Sequence, residues 1–155
     1  MDAGFSKAEG SREERYLSLL TQLRPLLEGE EDLIANMANM AACLKLQFGW
    51  HWVGFYLVKG DQLVLGPFQG PVACTRIGPG KGVCGTAWQK KETLVVDDVS
   101  LFPGHIACSP FSKSEIVIPV IRQGEVIAVL DIDSEYLKDF GVIDRKFLEE
   151  AVMLL

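Results

Sequence analysis

The chain has 155 residues, a length that suits one domain built around one hydrophobic core. Hydrophobic residues make up 48% of the sequence and charged residues 23%, which is typical of a compact soluble domain. The net charge of −6 argues against a nucleic-acid-binding surface, because such surfaces cluster lysine and arginine. The longest apolar runs, such as Ile116–Ile118, are too short to span a bilayer. We therefore expect neither a nucleic acid nor a membrane as a partner.

The N-terminal part is predicted to contain a leader and two helices. Residues 1–10 are polar and lack an apolar signal segment, so we expect a disordered leader and a cytoplasmic protein. Ser11 and Glu14 have the spacing of a capping box at the start of the first helix. Pro25 and Gly29 are expected to kink and end that helix. In the second helix, apolar residues recur at helical spacing on one face: Leu33, Met37, Met40, Leu44 and Phe48.

The remainder of the chain is predicted to form an antiparallel sheet with inserted helices. Its alternating or β-branched segments are predicted strands, over residues 50–58, 62–69, 71–77, 94–96, 115–121 and 125–133. A short helix is predicted over 84–90, and Asp144 is expected to cap a last helix. Residues 97–114 form a long irregular segment, and loops of that length tend to be functional. This order predicts an α+β fold in which helices cover one sheet face.

Two motifs contain residue types that bind phosphate or zinc, but their spacing does not match known sites of either kind. Residues 78–82 read Gly-Pro-Gly-Lys-Gly and lack the Ser or Thr that follows Gly-Lys in a phosphate-binding loop, so we interpret them as a tight turn. Cys74, Cys84, Cys108 and His105 fit no familiar zinc spacing, so no metal is expected. His105 could also lower the pKa of Cys108 as in a cysteine hydrolase, although a loop-bracing role is equally consistent.

The four cysteines have different predicted roles. Cys43 lies beside Ala and Leu residues in the second helix, which favours an inert core position. Cys84 lies at a helix start and Cys108 in the long irregular segment, and both settings favour an accessible thiolate. Cys74 lies in a strand-like stretch. Redox chemistry is therefore one interpretation of the cysteine set.

A cluster of carboxylates is predicted at the end of an aliphatic strand. Asp131 and Asp133 point to the same side of that strand. Carboxyl groups held so closely either bind a cation or retain a proton, unless they form only a solvated strand end. Glu115 joins them only if the hairpin contains a bulge, since a plain two-residue turn pairs it with Ile132 on the opposite face. Pro119 cannot donate to a strand ladder and is taken to mark that bulge.

Several long motifs stand in the order found in a known family. They are Gly66-Pro67-Phe68-Gln69-Gly70, Ala73-Cys74, Gly80–Gly85, Phe102–Cys108, Ser114–Val117 and Leu130–Ser134. They resemble the free methionine-(R)-sulfoxide reductases, which are built on a GAF domain, and the match extends from about Asn36 to the C-terminus. The resemblance implies a GAF domain over residues 11–155, with a six-stranded antiparallel sheet flanked by helices, in a homodimer.

The resemblance also implies an activity in the response to oxidative stress. The chain would be a thiol-dependent oxidoreductase that reduces free methionine (R)-sulfoxide. Cys108 would attack the substrate and form a sulfenic acid, and Cys74 would convert that acid to a redox-active disulfide. Cys84 matches a third family cysteine that assists or replaces Cys74. Thioredoxin would regenerate the thiols.

Five residues match the family's substrate pocket. Glu115, Asp131 and Asp133 match its acidic part, and Trp52 and Tyr56 match its aromatic wall. Carboxylates near the attacking cysteine would raise the pKa of its thiol, so we expect the helix dipole at Cys84 or an ordered loop amide to offset them. Two other functions stay open: a non-enzymatic GAF sensor of a small ligand, which would normally be joined to an output domain, and a dimeric zinc-stabilised scaffold.

Overall fold

In a computed structural model, which describes residues 4–105 and 109–155, the chain forms a six-stranded antiparallel sheet with helices on both faces. The helices are α1 (Arg12–Leu27), α2 (Leu33–Phe48), α3 (Gly82–Lys90) and α4 (Val142–Val152), with a short 3₁₀ turn at Val99–Leu101. The strands are β1 (Trp52–Lys59), β2 (Gln62–Gln69), β3 (Arg76–Ile77), β4 (Leu94–Val96), β5 (Ser114–Arg122) and β6 (Glu125–Ser134). Their order across the sheet is β3-β2-β1-β6-β5-β4, which confirms the expected α+β fold and six strands. Among the described residues, no helix has the length and apolarity needed to cross a bilayer.

Local sequence signals determine the ends of the first two helices. Ser11 Oγ accepts a hydrogen bond from the Glu14 backbone N–H at 3.1 Å, and the Glu14 carboxylate accepts one from the Ser11 N–H at 3.3 Å. These two bonds confirm the predicted capping box. Pro25 lies in the last turn of α1. α2 ends where Gly49 adopts a φ of 68°, a left-handed conformation that glycine reaches without a steric penalty.

The start of α4 differs from the prediction. α4 begins at Val142, so Asp144 lies inside the first turn rather than at the N-cap. Its carboxylate still accepts a hydrogen bond from the Gly141 N–H, at 2.8 Å. The same buried carboxylate accepts a hydrogen bond from the Tyr16 hydroxyl at 2.6 Å and pairs with Arg12 at 3.1 Å. Asp144 therefore also ties α4 to α1, a long-range contact that no helix signal reveals.

The described part of the N-terminal segment is held against the helices. The Gln22 side-chain amide exchanges two hydrogen bonds with the Ser6 backbone, at 2.8 and 2.9 Å. The Gln47 amide does the same with the Ala8 backbone, with both bonds at 2.9 Å. Two glutamines of α1 and α2 thus satisfy backbone groups of Ser6 and Ala8, and the disorder expected over residues 1–10 stays a prediction.

The sheet separates two apolar clusters. The larger cluster packs one sheet face against α1, α2 and α4, and it contains Cys43, which is a buried free thiol as its sequence setting predicted. The smaller cluster lies on the other face beneath α3 and contains Trp52, Tyr56 and Cys84. The prediction that helices cover one face is thus incomplete, since α3 covers the second face. The candidate site lies on that second face.

A bulge in the β5–β6 hairpin decides which side chains face α3. The register shifts just beyond Pro119, and the extra residue is Ile127 in β6. The predicted bulge is therefore present, although the extra residue belongs to the partner strand. As a result Glu115 pairs with Asp133 and projects from the same face as Asp133 and Asp131.

Candidate active site

Three adjacent strands form an acidic row on the sheet face beneath α3. Trp52 of β1, Asp133 of β6 and Glu115 of β5 are direct cross-strand neighbours, so their side chains project from one face. Asp131 lies two positions before Asp133 and shares that face. Glu115 and Asp131 are each only 6% exposed, and Asp133 is partly buried. The row is therefore a buried cluster and not a solvated strand end.

Burial raises the pKa of all three carboxyl groups. Loss of hydration raises the pKa of Glu115 well above its usual range, and the charges of Asp131 and Asp133 raise it further. Burial and the Asp131 charge also raise the pKa of Asp133 well above its usual range, although a hydrogen bond with Ser112 opposes the shift. Burial raises the pKa of Asp131 less strongly, because hydrogen bonds with Glu115 and Cys84 stabilise its ionised form. Asp131 therefore ionises first, while Glu115 and Asp133 tend to retain protons.

Two aromatic rings form a wall beside this row. The Trp52 and Tyr56 rings stack with centroids 5.9 Å apart, and Trp52 also stacks on Phe68 at 5.2 Å. The Trp52 indole N–H donates to the Pro71 carbonyl at 3.0 Å, and the Tyr56 hydroxyl donates to the Cys74 carbonyl at 2.9 Å. Packing and hydrogen bonds thus fix the position of both rings.

Gly54 lies between the two aromatic residues in β1, within the strand that resembles the family's pocket strand. A Cβ atom on Gly54 would lie 2.3 Å from Phe68 Cβ and 2.6 Å from Trp52 Cη2. The indole therefore occupies the space that any other side chain would need. A glycine inside an aromatic strand is itself a signal of such a close approach, and it could have identified this position.

A glycine-rich turn positions α3 over the pocket. Gly80 and Gly82 adopt φ values of 69° and 59°, which confirms the tight-turn interpretation of residues 78–82. A Cβ atom on Gly85 would lie 2.5 Å from the Gly78 carbonyl oxygen, so α3 packs directly against the turn. This packing brings the first turn of α3 next to the acidic row.

The described cysteines of the site lie in different environments. Cys74 is disulfide-bonded, whereas Cys84 is a free thiol that is 4% exposed. Burial raises the pKa of Cys84 well above its usual range, and the charges of Asp131 and Glu115 raise it further. The expectation that a helix start makes Cys84 an accessible thiolate is therefore wrong, because the thiol is buried beside carboxylates that raise its pKa. Cys108 lies outside the described residues, so its role stays a prediction.

His51 was not predicted, and it anchors the segment that follows residue 108. Its Nε2 lies 3.0 Å from Ser109 Oγ, and its Nδ1 lies 3.3 Å from the Glu135 carboxylate. The ring also contacts Phe111 edge-on, with centroids 6.0 Å apart. A lone histidine before a strand carries no sign of so distant a partner, which explains why the sequence did not indicate it.

The acidic row, the aromatic wall and the first turn of α3 enclose a pocket. Its empty volume is about 560 Å³, which includes the part that opens to solvent. Lys81, Cys84 and His105 also line it, and burial lowers the pKa of His105. All the predicted substrate-binding residues line this pocket: Trp52, Tyr56, Glu115, Asp131 and Asp133.

Among the described residues, one group has the geometry to hold a metal ion. Cys84, Glu115 and Asp131 each offer a donor atom, and these atoms lie within 4.8 Å of one another. This group differs from the cysteine and histidine set considered from the sequence, because only Cys84 belongs to both.

Residues 30–155 match the GAF domain family. The chain belongs to that family. GAF domain-containing protein A of Dictyostelium discoideum is 58% identical to it, over 96% of this chain and 94% of the relative. The free methionine-R-sulfoxide reductase of Escherichia coli is 42% identical, over 94% and 88% of the two chains. The solved structure of the free methionine-R-sulfoxide reductase of Neisseria meningitidis in complex with its substrate has a TM-score of 0.95 and 49% identity, with 98% and 92% of the chains covered. Within the GAF domain family, this chain thus falls in the group of the free methionine-R-sulfoxide reductases.

Proposed function

We propose that this chain is an oxidoreductase that reduces free methionine (R)-sulfoxide to methionine. One observation carries the proposal: a buried acidic row and an aromatic wall meet in one pocket, where the Tyr56 hydroxyl donates a hydrogen bond to the Cys74 carbonyl. The similarity to a reductase that has been solved with its substrate supports it. A non-enzymatic GAF sensor is less well supported, because relatives with more than 40% identity are named as reductases.

The pocket suits the free amino acid rather than a methionine residue in a protein. The Trp52 and Tyr56 rings offer an apolar surface to the S-methyl group. The Asp131 carboxylate attracts an α-ammonium group, and the neighbouring Glu115 and Asp133 offer oxygen atoms that accept its hydrogen bonds. A peptide-bonded methionine has no such cation, so it loses this attraction.

The proposed chemistry uses a thiolate and a proton donor. The Cys108 thiolate attacks the sulfoxide sulfur while a protonated Glu115 or Asp133 delivers a proton to the oxygen. The hydroxyl group then passes to the Cys108 sulfur while the S–O bond and the transient S–S bond break, so methionine leaves and Cys108 becomes a sulfenic acid. The Cys74 thiol attacks that sulfur, water leaves, and a disulfide forms, which a thioredoxin-type dithiol reduces.

We infer that Cys74 rather than Cys84 closes the first disulfide. Cys74 is disulfide-bonded, whereas Cys84 is a buried free thiol with a strongly raised pKa. A high pKa leaves little thiolate to attack a sulfenic acid. Cys84 then assists only when Cys74 is absent. Dependence on thioredoxin also agrees with a cytoplasmic location, and the proposed assembly is a homodimer.

The test is a reductase assay on the full chain with thioredoxin, thioredoxin reductase and NADPH. Three substrates are compared: free methionine (R)-sulfoxide, its (S) diastereomer and N-acetylmethionine (R)-sulfoxide. The reduced product of each is quantified by chromatography. We expect rapid reduction of the free (R) form only, with two thiols lost per turnover without reductant. Cys108→Ser should be inactive, and Cys43→Ala, a change in the opposite cluster, should behave as the wild type. If no substrate yields methionine, the proposal is refuted, and if Cys108→Ser is fully active, Cys108 is not the nucleophile.

A further inference from the structure

Three donor atoms converge on one side of the pocket. They are Cys84 Sγ, one carboxylate oxygen of Glu115 and one of Asp131, and they lie within 4.8 Å of one another. All three residues are at most 6% exposed, and Cys84 is a free thiol. Their side chains line the pocket, so an ion entering from solvent reaches all three.

A second observation concerns one oxygen of the Asp131 carboxylate. Asp131 Oδ1 is buried, and among the described residues no hydrogen-bond donor reaches it. A buried carboxylate oxygen without a donor is unfavourable in a folded protein, and a cation is one of the few groups that satisfies it. Asp131 lines the pocket together with Cys84 and Glu115, so a cation bound there is a candidate partner for this oxygen.

We propose that Cys84, Glu115 and Asp131 bind one zinc ion in this pocket. A thiolate with two carboxylates suits zinc, whereas magnesium and calcium prefer oxygen donors alone. Tetrahedral zinc with bonds of about 2.0–2.3 Å requires donors roughly 3.3–3.8 Å apart, so small side-chain rotations suffice. Three protein donors leave the fourth position to water.

Zinc binds cysteine as a thiolate and aspartate or glutamate as a carboxylate, so its binding would release any protons that these three groups carry.

Bound zinc would occupy the place assigned to the substrate's ammonium group. This consequence rests on the proposed function, whereas the binding of zinc does not. Zinc would then inhibit the reductase by competing with the free amino acid and would leave the chemical step unchanged.

The binding test uses the full chain in its disulfide form, in which Cys84 is a free thiol. Equilibrium dialysis against buffered zinc, followed by metal analysis, should give one zinc per chain. Cobalt(II) in place of zinc should produce a thiolate-to-metal absorption band in the near ultraviolet. Cys84→Ser and Asp131→Asn should each weaken zinc binding by at least about 100-fold. Mutation of a residue that only hydrogen-bonds to a metal ligand already weakens metal binding by about 10–100-fold. Cys43→Ala removes the free cysteine of the opposite cluster and should bind zinc as the wild type does.

Two results would overturn the zinc site. One is the absence of stoichiometric binding at micromolar free zinc, and the other is an unchanged zinc affinity in the two ligand variants. Circular dichroism and thermal unfolding check that each variant is folded. Asp131→Asn preserves the size of the side chain, so it keeps the test decisive if Cys84→Ser fails to fold.

Kinetics locate the ion in the pocket. At fixed free zinc, the KM for free methionine (R)-sulfoxide should rise while kcat stays constant. A lower kcat with unchanged KM would mean that zinc acts on other thiols, and it would overturn the assignment. A chain that reduces no methionine sulfoxide would refute the proposed function alone, because the binding test does not depend on activity.

Discussion

Replacement of Gly54 by alanine should disturb the aromatic wall without changing any acidic or sulfur-bearing group. The added Cβ would lie 2.3 Å from Phe68 Cβ and 2.6 Å from the Trp52 ring. Ordinary carbon–carbon contacts are about 3.5–4.0 Å. The Phe68 position must therefore move by about 1.2–1.7 Å, and the indole by about 0.9–1.4 Å, to accept one methyl group.

Neither movement is easily accommodated. Phe68 Cβ is attached to the β2 backbone directly opposite Gly54, so no rotamer change moves it away. Trp52 is held by its hydrogen bond to Pro71 and by stacking on two rings. Overpacking of this kind costs about 1–3 kcal/mol, which lowers the Tm by roughly 2–12 °C in a chain of this size. A wall displaced by about 1 Å should lower kcat/KM by up to about 10²-fold.

Thermal unfolding and steady-state kinetics with free methionine (R)-sulfoxide measure both effects. Gly141→Ala is the matched control, because a Cβ atom there meets no heavy atom within 4 Å and its φ of −136° suits alanine. Gly141 is the N-cap of α4, and alanine is a poorer N-cap than glycine. The free energy of unfolding of the control should therefore fall by up to about 1 kcal/mol, while its kcat/KM should stay that of the wild type. A Gly54→Ala variant with the Tm and kcat/KM of the wild type would refute the steric argument.

Three further predictions concern single side chains of the site. The raised pKa of Glu115 lets the folded chain keep a proton that the unfolded chain loses near pH 4. The free energy of unfolding should therefore fall as the pH rises above about 4. Denaturant titrations between pH 4 and 8 should show a smaller fall for Glu115→Gln than for the wild type. Curves that run parallel for the two proteins would contradict this linkage. Cys84 should react with iodoacetamide far more slowly in the folded chain than in urea, because burial raises the pKa of its thiol; equal labelling by mass spectrometry would disprove it. Cys74→Ser should release one methionine per chain in a rapid burst but recycle poorly with thioredoxin, and loss of the burst would show that Cys74 acts in the chemical step.

Elements with ends set by neighbouring residues could be predicted from the sequence. The capping box of Ser11 and Glu14 is an example, and so is β2, which has the predicted bounds of Gln62–Gln69. β3 is shorter than the predicted 71–77, because only Arg76 and Ile77 pair with β2. The carbonyl of Pro71 accepts the Trp52 indole N–H instead. That choice between strand pairing and a side-chain contact depends on the assembled sheet, so no sequence window shows it.

The predicted substrate-binding residues line the pocket, but the environments of the pocket residues could not be predicted. The spacing of Asp131 and Asp133 correctly indicated a shared strand face, and the bulge that brings Glu115 beside them followed from the register argument. The burial of Cys84 depends on how α3 packs against the sheet, and the anchoring role of His51 depends on a partner far along the chain. Both properties arise from long-range packing, which local patterns do not encode.

The bulge at Ile127 lies between the turn of the hairpin and the strand segments that carry the acidic row. On the turn side of Ile127, residues 121–126 pair in the register of a two-residue turn. On the other side, the strand from Ala128 onward pairs with β1 and, shifted by one residue, with β5. If Ile127 were removed, the pair Val120–Ala128 would follow the pair Ile121–Val126 directly, so Glu115 would still lie opposite Asp133 in a hairpin with a plain two-residue turn. A one-residue deletion at this point would therefore change the length of the hairpin without changing the order of the acidic row.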